Sequence, residues 1–592
     1  MHPSKKHFKT LFAIALLGVI ATIAGGVFFY FHNTNSLHQF SESLAYQMLE
    51  NNPLELHYSI AHPEKLGYEN ISTNLIPFNE NYYENASAYW SDHASALAKI
   101  NRKFLSKENQ FLYALLERHI QLQLNSLSFP YYENPLAMSN GIHSQLPILL
   151  SEYTFYDKED IENYFVLLSQ IPEYLNGLYT YAYKKELNGL SLYTPFLEEI
   201  SNQCMELFPQ KSLEQGTHFL QTSFKERVAE LFEQNIITKT EQISYIDRNT
   251  ALIKQTLVPA YQKLALALQN IKGTDVLLGL NAYPNGKSYY EYLLKTNTGS
   301  AKSVKEIQQM LYDRYDTLCT EYQSLLAQET LVQNLHFPIV SPKEMVAHLH
   351  MHSQNDFPSV NEFGAHASQK VELKNVHGAL ANMSAPAFYM TPPIDKNDTH
   401  TIYVNPSSSM RALDLYTTLA HEGFPGHLYQ TVYSQTALRS ANAPLIRHLL
   451  YHGGFTEGWA IYAEFYSYQY AQSACNAELS DTLSLQRINR ELQLCVCSIL
   501  DIYIHYEGAD LEKTKALLQT LGLNVQNAES IYEIICDAPA NYPKYYVGYL
   551  EILNLQMSAK TLWNENYSDY RFHKWLLGTG GGDYKNLGEL LQ

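Results

Sequence analysis

Two histidines that stand six residues apart, His421 and His427, could bind a metal ion together with Glu457, thirty residues further along the chain. Imidazole nitrogens and a carboxylate oxygen are ligands that a catalytic zinc ion prefers, and three such ligands leave a fourth position for water. Glu422 follows the first histidine directly, where a base for that water would have to stand. The pattern predicts a hydrolase that acts on a carbonyl bond, most simply a peptide bond.

The spacing of the two histidines does not fit a regular helix. Six residues turn an α-helix by about 600°, which would place His421 and His427 about 120° apart. The intervening segment 423–426 contains two glycines and a proline, which cannot continue a regular helix without a penalty. We therefore predict a bulge or break there, followed by a second helix over residues 428–438 that returns His427 to the metal. A helix stop flanked by two chance histidines is the alternative.

A second acidic segment provides the third ligand. Glu457 and Glu464 are seven residues apart on a helix predicted over Thr456–Tyr470, and hence lie near one face of it. We take Glu457 as the ligand. Glu464 is a candidate to accept a hydrogen bond from the far nitrogen of a ligand histidine, which would fix its tautomer. A solvated helix charge is an equally good interpretation of Glu464.

The elements before the first histidine predict a small sheet beside the metal helix. The segments 387–390 and 401–404 are short, β-prone and separated by turn formers, which is typical of a β-hairpin with a long loop. Ser407–Ser409 are N-cap candidates for the helix that leads into His421. The strand edge that carries Tyr389 is a plausible guide for an extended peptide, because main-chain pairing needs no particular side chain. A hairpin that only covers the core is the alternative.

Composition indicates one large globular body. The chain has 592 residues, of which 46% are hydrophobic, and its 41 basic and 59 acidic residues give a net charge of −18. This balance excludes a general polyanion binder, so nucleic acid is not an expected partner. Apolar residues at helical spacing, without a Gly/Ser/Pro-rich linker, predict a mainly α-helical domain over residues 46–592. The six cysteines predict free thiols rather than a disulfide scaffold.

The N-terminal residues predict a membrane anchor. Three lysines precede an uncharged run of 21 residues, 11–31, which is long enough to cross the hydrocarbon layer. The lysines favour a cytoplasmic segment 1–10, with the catalytic part outside the cell as a single-pass membrane protein. Residues 32–45 are predicted to be a polar tether. A cleaved signal peptide, with a possible cleavage site at residues 22–24, is the alternative.

These motifs resemble the bacterial domain-of-unknown-function 885 family, placed among the gluzincin-type zinc metallopeptidases. The resemblance is carried by the heptapeptide His421–His427 and the block Glu457–Glu464, with supporting blocks at residues 384–389, 501–505, 545–548 and 572–574. It implies a mostly helical fold with a deep groove, similar to oligopeptidases of the neurolysin and angiotensin-converting-enzyme type. It also implies one Zn²⁺ held by His421, His427 and Glu457, with Glu422 as the base.

Further roles follow from the supporting blocks. Tyr545 stands where the family block would place a donor to the developing oxyanion, although position alone does not separate it from Tyr546. Asp501 and His505 are four residues apart and are predicted to meet on one helix face near the groove. Cys497 stands where the family pattern leads us to expect an arginine, which puts a substrate-anchoring role for that position in doubt.

The family pattern also leads us to expect a second histidine directly after the heptapeptide, where this chain has Leu428. This difference favours His427 as the ligand. The functional hypothesis is thus a membrane-anchored, extracellular zinc metallopeptidase that hydrolyses oligopeptides. A non-catalytic extracellular peptide-binding protein and a zinc hydrolase of a non-peptide amide or ester are the alternatives. No sequence feature indicates an oligomeric state.

Overall fold

The structure of the protein, a computed structural model, is mainly helical with one small β-sheet. It describes residues 5–50, 52–68, 73–75, 82–327, 335–363, 370–378, 381, 385–396 and 398–592, and it describes only the backbone of residues 5–24, 82, 84 and 478. Ser384, the first residue of one supporting block, lies outside the described residues. The mainly α-helical class predicted from the sequence is confirmed.

The α-helices of the first half of the chain begin and end as follows: α1 (Lys5–Glu50), α2 (Pro53–Ser59), α3 (Tyr82–Leu97), α4 (Lys107–Ser126), α5 (Ile142–Glu152), α6 (Lys158–Leu187), α7 (Thr194–Glu206), α8 (Gln210–Gln215), α9 (Phe219–Glu233), α10 (Lys239–Leu252), α11 (Val258–Leu268), α12 (Gly286–Thr298) and α13 (Val304–Leu326). Those of the second half are α14 (Pro342–Asp356), α15 (Ala412–Glu422), α16 (His427–Ser440), α17 (Ile446–Leu449), α18 (Gly453–Ala474), α19 (Ser480–His505), α20 (Leu511–Thr520), α21 (Ala528–Asp537), α22 (Asn541–Trp563), α23 (Asp569–Thr579) and α24 (Tyr584–Leu591). Shorter helical segments are a π-helix at Ile253–Leu257 and 3₁₀ turns at Pro63–Leu66, Arg102–Phe104, Leu280–Ala282, Val360–Phe363, Ala477–Leu479 and Asn564–Asn566.

The sheet contains the predicted hairpin and a third strand that we did not predict. Its strands are β1 (Lys370–Asn375), β2 (Ala387–Met390) and β3 (Thr399–Val404), in the order β1-β3-β2. β2 runs antiparallel to β3, as a hairpin requires, and β1 runs parallel to it. The alternation of charged and apolar residues in Lys370–Asn375 is itself typical of a half-buried strand, so the sequence carried a signal for β1.

Alternate residues of the sheet face two hydrophobic cores. Ile402 and Val404 of β3 belong to the core built mainly by helices α12 to α24. Tyr403, between them in the chain, belongs to the core built mainly by helices α5 to α11. This alternation is the period of two that a strand imposes on its side chains. The sheet therefore separates the two cores, and α15 packs on the side of the first.

The predicted tether, residues 32–45, is wrong. These residues continue α1 without a break, and Leu37, Leu44 and Ala45 are buried in a small core that includes residues of α4. The polar residues of this segment led us to predict a tether, although its apolar residues form the buried face of a helix.

No helix in the described part of the chain has the length and apolar character that a membrane crossing requires. Of the predicted anchor, 11–31, side chains are described only from residue 25 onward, so the anchor stays a prediction.

The predicted N-cap of the metal helix is also wrong. The helix α15 begins at Ala412 with Arg411 as its N-cap, rather than at Ser407–Ser409. The chain needs these residues to turn from β3 into the helix, and the N–H of Ser408 donates to the carbonyl of Asn405 within that turn. Arg411 instead binds Asp414 in the first turn of the helix, with Nε–Oδ2 at 2.8 Å.

Candidate metal centre

A break between α15 and α16 carries the two histidines. The first helix ends at Glu422 and the second begins at His427, as the segment 423–426 predicted. A Cβ atom at Gly426 would lie 1.8 Å from the carbonyl oxygen of His421, so only glycine permits this close return of the chain. The indole N–H of Trp459 donates to the carbonyl of Pro425 at 2.9 Å and fixes the break against α18.

The break brings the predicted ligands together. His421, His427 and Glu457 offer ligand atoms that lie within 4.8 Å of one another. Glu457 Oε2 is 3.7 Å from His421 Nε2 and 3.3 Å from His427 Nε2. A tetrahedral ion with bonds of about 2.1 Å would separate its ligand atoms by about 3.4 Å. The donor types and their separations therefore fit a single divalent cation.

The electrostatic environment also favours a cation at this point. Burial alone would lower the pKa of His421, but the nearby carboxylates of Glu457, Glu464 and Glu422 outweigh it and raise this pKa to about 10. Burial would raise the pKa of Glu457, but His421, His427 and Lys544 hold it well below its usual range. Positive charge is thus stabilised among these groups, and a metal ion supplies such charge.

Glu464 contacts the far side of the first ligand histidine. Its Oε2 lies 3.4 Å from His421 Nδ1, and its Oε1 accepts a hydrogen bond from Arg490 Nε at 2.7 Å. Burial would raise its pKa, but Arg490 and His421 lower it to about 2. The alternative of a solvated charge is wrong, because Glu464 is only 4% exposed. Arg490, on α19, was not predicted, since nothing in the local sequence connects it to this position.

The strand β2 positions the carboxylate next to the ligands. Glu422 Oε2 accepts a hydrogen bond from the backbone N–H of Tyr389 at 2.9 Å, and its Oε1 lies 4.0 Å from His421 Nε2. The side chain of Tyr389 is occupied elsewhere, with its hydroxyl 2.9 Å from His400 Nδ1. Tyr389 therefore contributes to the site through its main chain, which its residue type alone does not reveal.

The surroundings of Tyr545 and Tyr546 distinguish which of them can act as the donor to the oxyanion. The ring of Tyr545 stacks on that of His421, with centroids 6.2 Å apart. Burial, and then the charge of Glu457, raises the pKa of the Tyr545 hydroxyl, so the group stays protonated and can donate. The hydroxyl of Tyr546 is directed into the core, where it donates to Glu491 Oε1 at 3.2 Å. Tyr545 lies at the candidate centre and Tyr546 does not.

Close packing of α18 on α22 places Glu457 next to Tyr545. A Cβ atom at Gly458 would lie 2.4 Å from the carbonyl carbon of Gly548. The two helices can approach this closely only because both positions lack a side chain. The glycines of the two family blocks therefore set the distance between the third ligand and the tyrosine.

Asp501 and His505 do not contact each other as predicted. Asp501 Oδ1 accepts hydrogen bonds from the hydroxyl of Tyr290 at 2.6 Å and from the N–H of Ala540 at 3.0 Å. His505 Nδ1 accepts from the N–H of Leu280, so its Nε2 donates to the carbonyl of Ile535. Spacing by four residues permitted a contact, but partners from other elements occupy both side chains. Both residues are buried and tie helices together.

A cavity of about 840 Å³ lies on the opposite face of the sheet. Phe388, Met390 and Tyr403, whose side chains point away from the metal helix, form part of its wall together with Arg227 of α9. None of the three candidate ligands lines it.

The free thiols predicted from the cysteine pattern are confirmed: Cys204, Cys319, Cys475, Cys495, Cys497 and Cys536 are unpaired.

Comparison with known proteins identifies a family and a fold. The model of a family described as "Bacterial protein of unknown function (DUF885)" matches residues 63–587. The chain is similar to the crystal structure of the putative lipoprotein from Colwellia psychrerythraea, with 17% identity, a TM-score of 0.76, and coverage of 94% of this chain and 98% of that one. It is also similar to a putative lipoprotein of unknown function from Shewanella oneidensis, with 16% identity, a TM-score of 0.62, and coverage of 94% and 99%. No curated protein matches. At these identities the similarities establish the fold alone.

Proposed function

The chain belongs to the DUF885 family of bacterial proteins, whose function is unknown, and for this member we propose the zinc-dependent hydrolysis of oligopeptides. The observation that carries the proposal is the convergence of His421, His427 and Glu457 within 4.8 Å, with the carboxylate of Glu422 beside them. Two imidazoles, one ligand carboxylate and one free carboxylate are the minimal set for metal-assisted attack of water on a carbonyl.

The three ligands would hold the ion through His421 Nε2, His427 Nε2 and Glu457 Oε2, the atoms that face one another. When bound, Zn²⁺ would act as a Lewis acid that polarises the substrate carbonyl and lowers the pKa of water. Glu464 would hold the proton of His421 on Nδ1 and so leave Nε2 free as a ligand.

The remaining steps belong to the chain's own groups. Glu422, held by the N–H of Tyr389, would take a proton from the attacking water and deliver it to the leaving amine. Tyr545 would donate a hydrogen bond to the carbonyl oxygen as negative charge develops there, a contribution typically worth about 3–4 kcal/mol. The edge of β2 beside α15 would guide the substrate main chain. We propose that the substrate-binding groove expected from the sequence runs along this edge.

The test is metal analysis combined with a peptide digest. We expect the purified protein to carry about one zinc ion, to cleave a mixed peptide library, and to lose this activity to a chelator. Glu422→Gln should retain zinc and lose turnover, whereas His427→Ala should lose zinc. Normal turnover of Glu422→Gln, or full zinc occupancy of His427→Ala, would contradict the proposal.

The same experiment, extended to ester and non-peptide amide substrates, decides between the alternatives. A protein that binds zinc and peptides without cleaving them would be a peptide-binding protein. Cleavage of esters or non-peptide amides, with peptides left intact, would place the reaction on another carbonyl substrate, since the site polarises any carbonyl.

We also propose an extracellular, membrane-associated location, with residues 11–31 as the anchor. The uncharged run preceded by lysines supports it, and so do the descriptions of the two similar structures as lipoproteins.

A further inference from the structure

Lys544, in the first turn of α22, brings a positive charge to the metal centre. Its Nζ lies 3.6 Å from Glu457 Oε1, while the other oxygen of that carboxylate faces the two histidines. Among the described residues, Lys544 is the one lysine or arginine that forms an ion pair, at 4.0 Å or less, with a candidate ligand. Arg490 also lies near the centre, but it binds Glu464.

The ammonium of Lys544 is held in place but is not saturated. Its side chain packs against the backbone of Gly453, where an added Cβ would lie 3.1 Å from Lys544 Cδ, and its Nζ lies 4.8 Å from the centre of the Tyr545 ring. An ammonium has three donors, and the loose contact with Glu457 uses at most one of them. The Lys544 side chain is 20% exposed, so the remaining donors can reach a ligand.

The ring of Tyr451 adds an exposed wall on the same side. A Cβ at Gly453 would lie 3.3 Å from Tyr451 Cε1, so this ring and the stem of Lys544 flank the same glycine. Tyr451 is 69% exposed, which is unusual for so large a side chain. An apolar surface beside a fixed cation suits a side chain that is attached to a carboxylate.

The charges at the centre match one additional anion. A divalent ion would balance the charges of Glu422 and Glu457, and Arg490 balances that of Glu464. Lys544 then remains as one uncompensated positive charge. An anionic substrate group would be repelled by the glutamates alone, and this lysine removes that penalty.

We propose that Lys544 binds the free C-terminal carboxylate of the peptide, so that the enzyme releases the last residue of its substrate. The proposal rests on the proposed function and names its substrate class. In a peptide, the carboxyl carbon of a residue lies about 3–4 Å from the acyl carbon that precedes it. Only the carboxylate of Glu457 separates the Lys544 ammonium from the ligand atoms. The ammonium can therefore contact the carboxylate of a single residue that follows the cleaved bond, whereas a two-residue leaving group would place its carboxylate about 7 Å away. Water supplies a hydroxyl to the acyl carbon and a proton to the released amine.

The first experiment compares a peptide that ends in a free carboxylate with the same peptide as its C-terminal amide. We expect the zinc-loaded wild type to prefer the free acid by at least about tenfold in kcat/KM, because hydrogen bonds to charged groups are strong. Lys544→Met should abolish this preference, and Lys544→Arg should restore part of it. The matched control is Lys560→Met, which removes an exposed lysine from the last turn of the same helix and should leave the preference intact.

The second experiment measures binding without turnover. Calorimetry with zinc-loaded Glu422→Gln should detect binding of the free acid, and the amide should bind at least about tenfold more weakly. Adding Lys544→Met to that variant should make the two affinities equal. Circular dichroism and zinc content verify that each variant is folded and loaded. Equal cleavage of acid and amide by the wild type, and equal binding of the two by Glu422→Gln, would overturn the role of Lys544 and leave the peptidase standing. No cleavage of any peptide would overturn the proposed function itself.

Discussion

The backbone N–H of Tyr389 lies 2.9 Å from Glu422 Oε2, so an edge strand holds the carboxylate that we propose as the base. The contact joins the sheet to the end of the metal helix directly before its break. It leaves Glu422 Oε1 at 4.0 Å from His421 Nε2, on the side of the ligands. A main-chain donor does not depend on a rotamer, so the direction of this carboxylate is set by the fold.

Replacement of Tyr389 by proline tests this relationship. Tyr389→Pro removes the N–H from a residue of an edge strand, where proline is tolerated, while Tyr389→Ala keeps it. We expect the proline variant to lose at least about tenfold in kcat, as a misplaced general base would cause, and to retain its zinc. The alanine variant should stay closer to the wild type, since it keeps the donor to Glu422. Similar losses in both variants would show that the tyrosine side chain matters and the N–H does not.

Glu464 is expected to control zinc affinity through His421. Glu464→Gln removes the charge beside His421 Nδ1, and losses of about 10–100-fold in metal affinity are typical for such partners. A competition titration with a chromophoric chelator measures the effect. Glu551→Gln is the matched control, because Glu551 is also buried and binds a cation, Lys302, at 2.6 Å, away from the metal centre. Equal zinc affinities in the two variants would contradict the role of Glu464.

Gly458 is expected to be essential for the distance between α18 and α22. A Cβ there would lie 2.4 Å from backbone atoms of Gly548, so Gly458→Ala should force the helices apart and cost about 1–3 kcal/mol of unfolding free energy. Gly578→Ala, in a helix and with nothing within 4 Å of an added Cβ, should be neutral or slightly stabilising. Denaturant unfolding measures both, and equal stabilities would show that the contact can relax at little cost.

Asp501 is expected to make stability depend on pH. Burial raises its pKa from the usual 3.8 to about 7, so between these values the folded protein binds more protons than the unfolded chain. The free energy of unfolding should therefore fall as the pH rises from about 4 to about 7. Asn at this position can accept the same bonds from Tyr290 and Ala540 without a charge.

Asp501→Asn should accordingly be more stable than the wild type at pH 8 and of similar stability at pH 4. The difference at pH 8 has an upper bound of about 4 kcal/mol, at 1.36 kcal/mol for each unit of pKa. Thermal unfolding of the two proteins across this range gives the measurement. A constant difference at all pH values would show that Asp501 does not titrate between 4 and 7.

Local features of the sequence determined much of the candidate centre. Glycines and a proline between His421 and His427 require a break whatever surrounds them, because their backbone preferences are intrinsic. The hairpin likewise follows from residue types and turn formers that are neighbours in the chain. The alternation of charged and apolar residues within Lys370–Asn375 is also a local feature, so β1 could have been predicted from the sequence.

Tertiary structure alone decided which side chains meet across elements. Arg490 and Lys544 reach the centre from α19 and α22, and the donor to Glu422 is a backbone group of β2. Asp501 and His505 have the spacing of a helix pair, yet each binds groups from other helices and loops. Spacing along a helix limits which contacts are possible, but the packing of distant elements selects among them, since a buried polar group takes whichever partner the fold brings within hydrogen-bond distance.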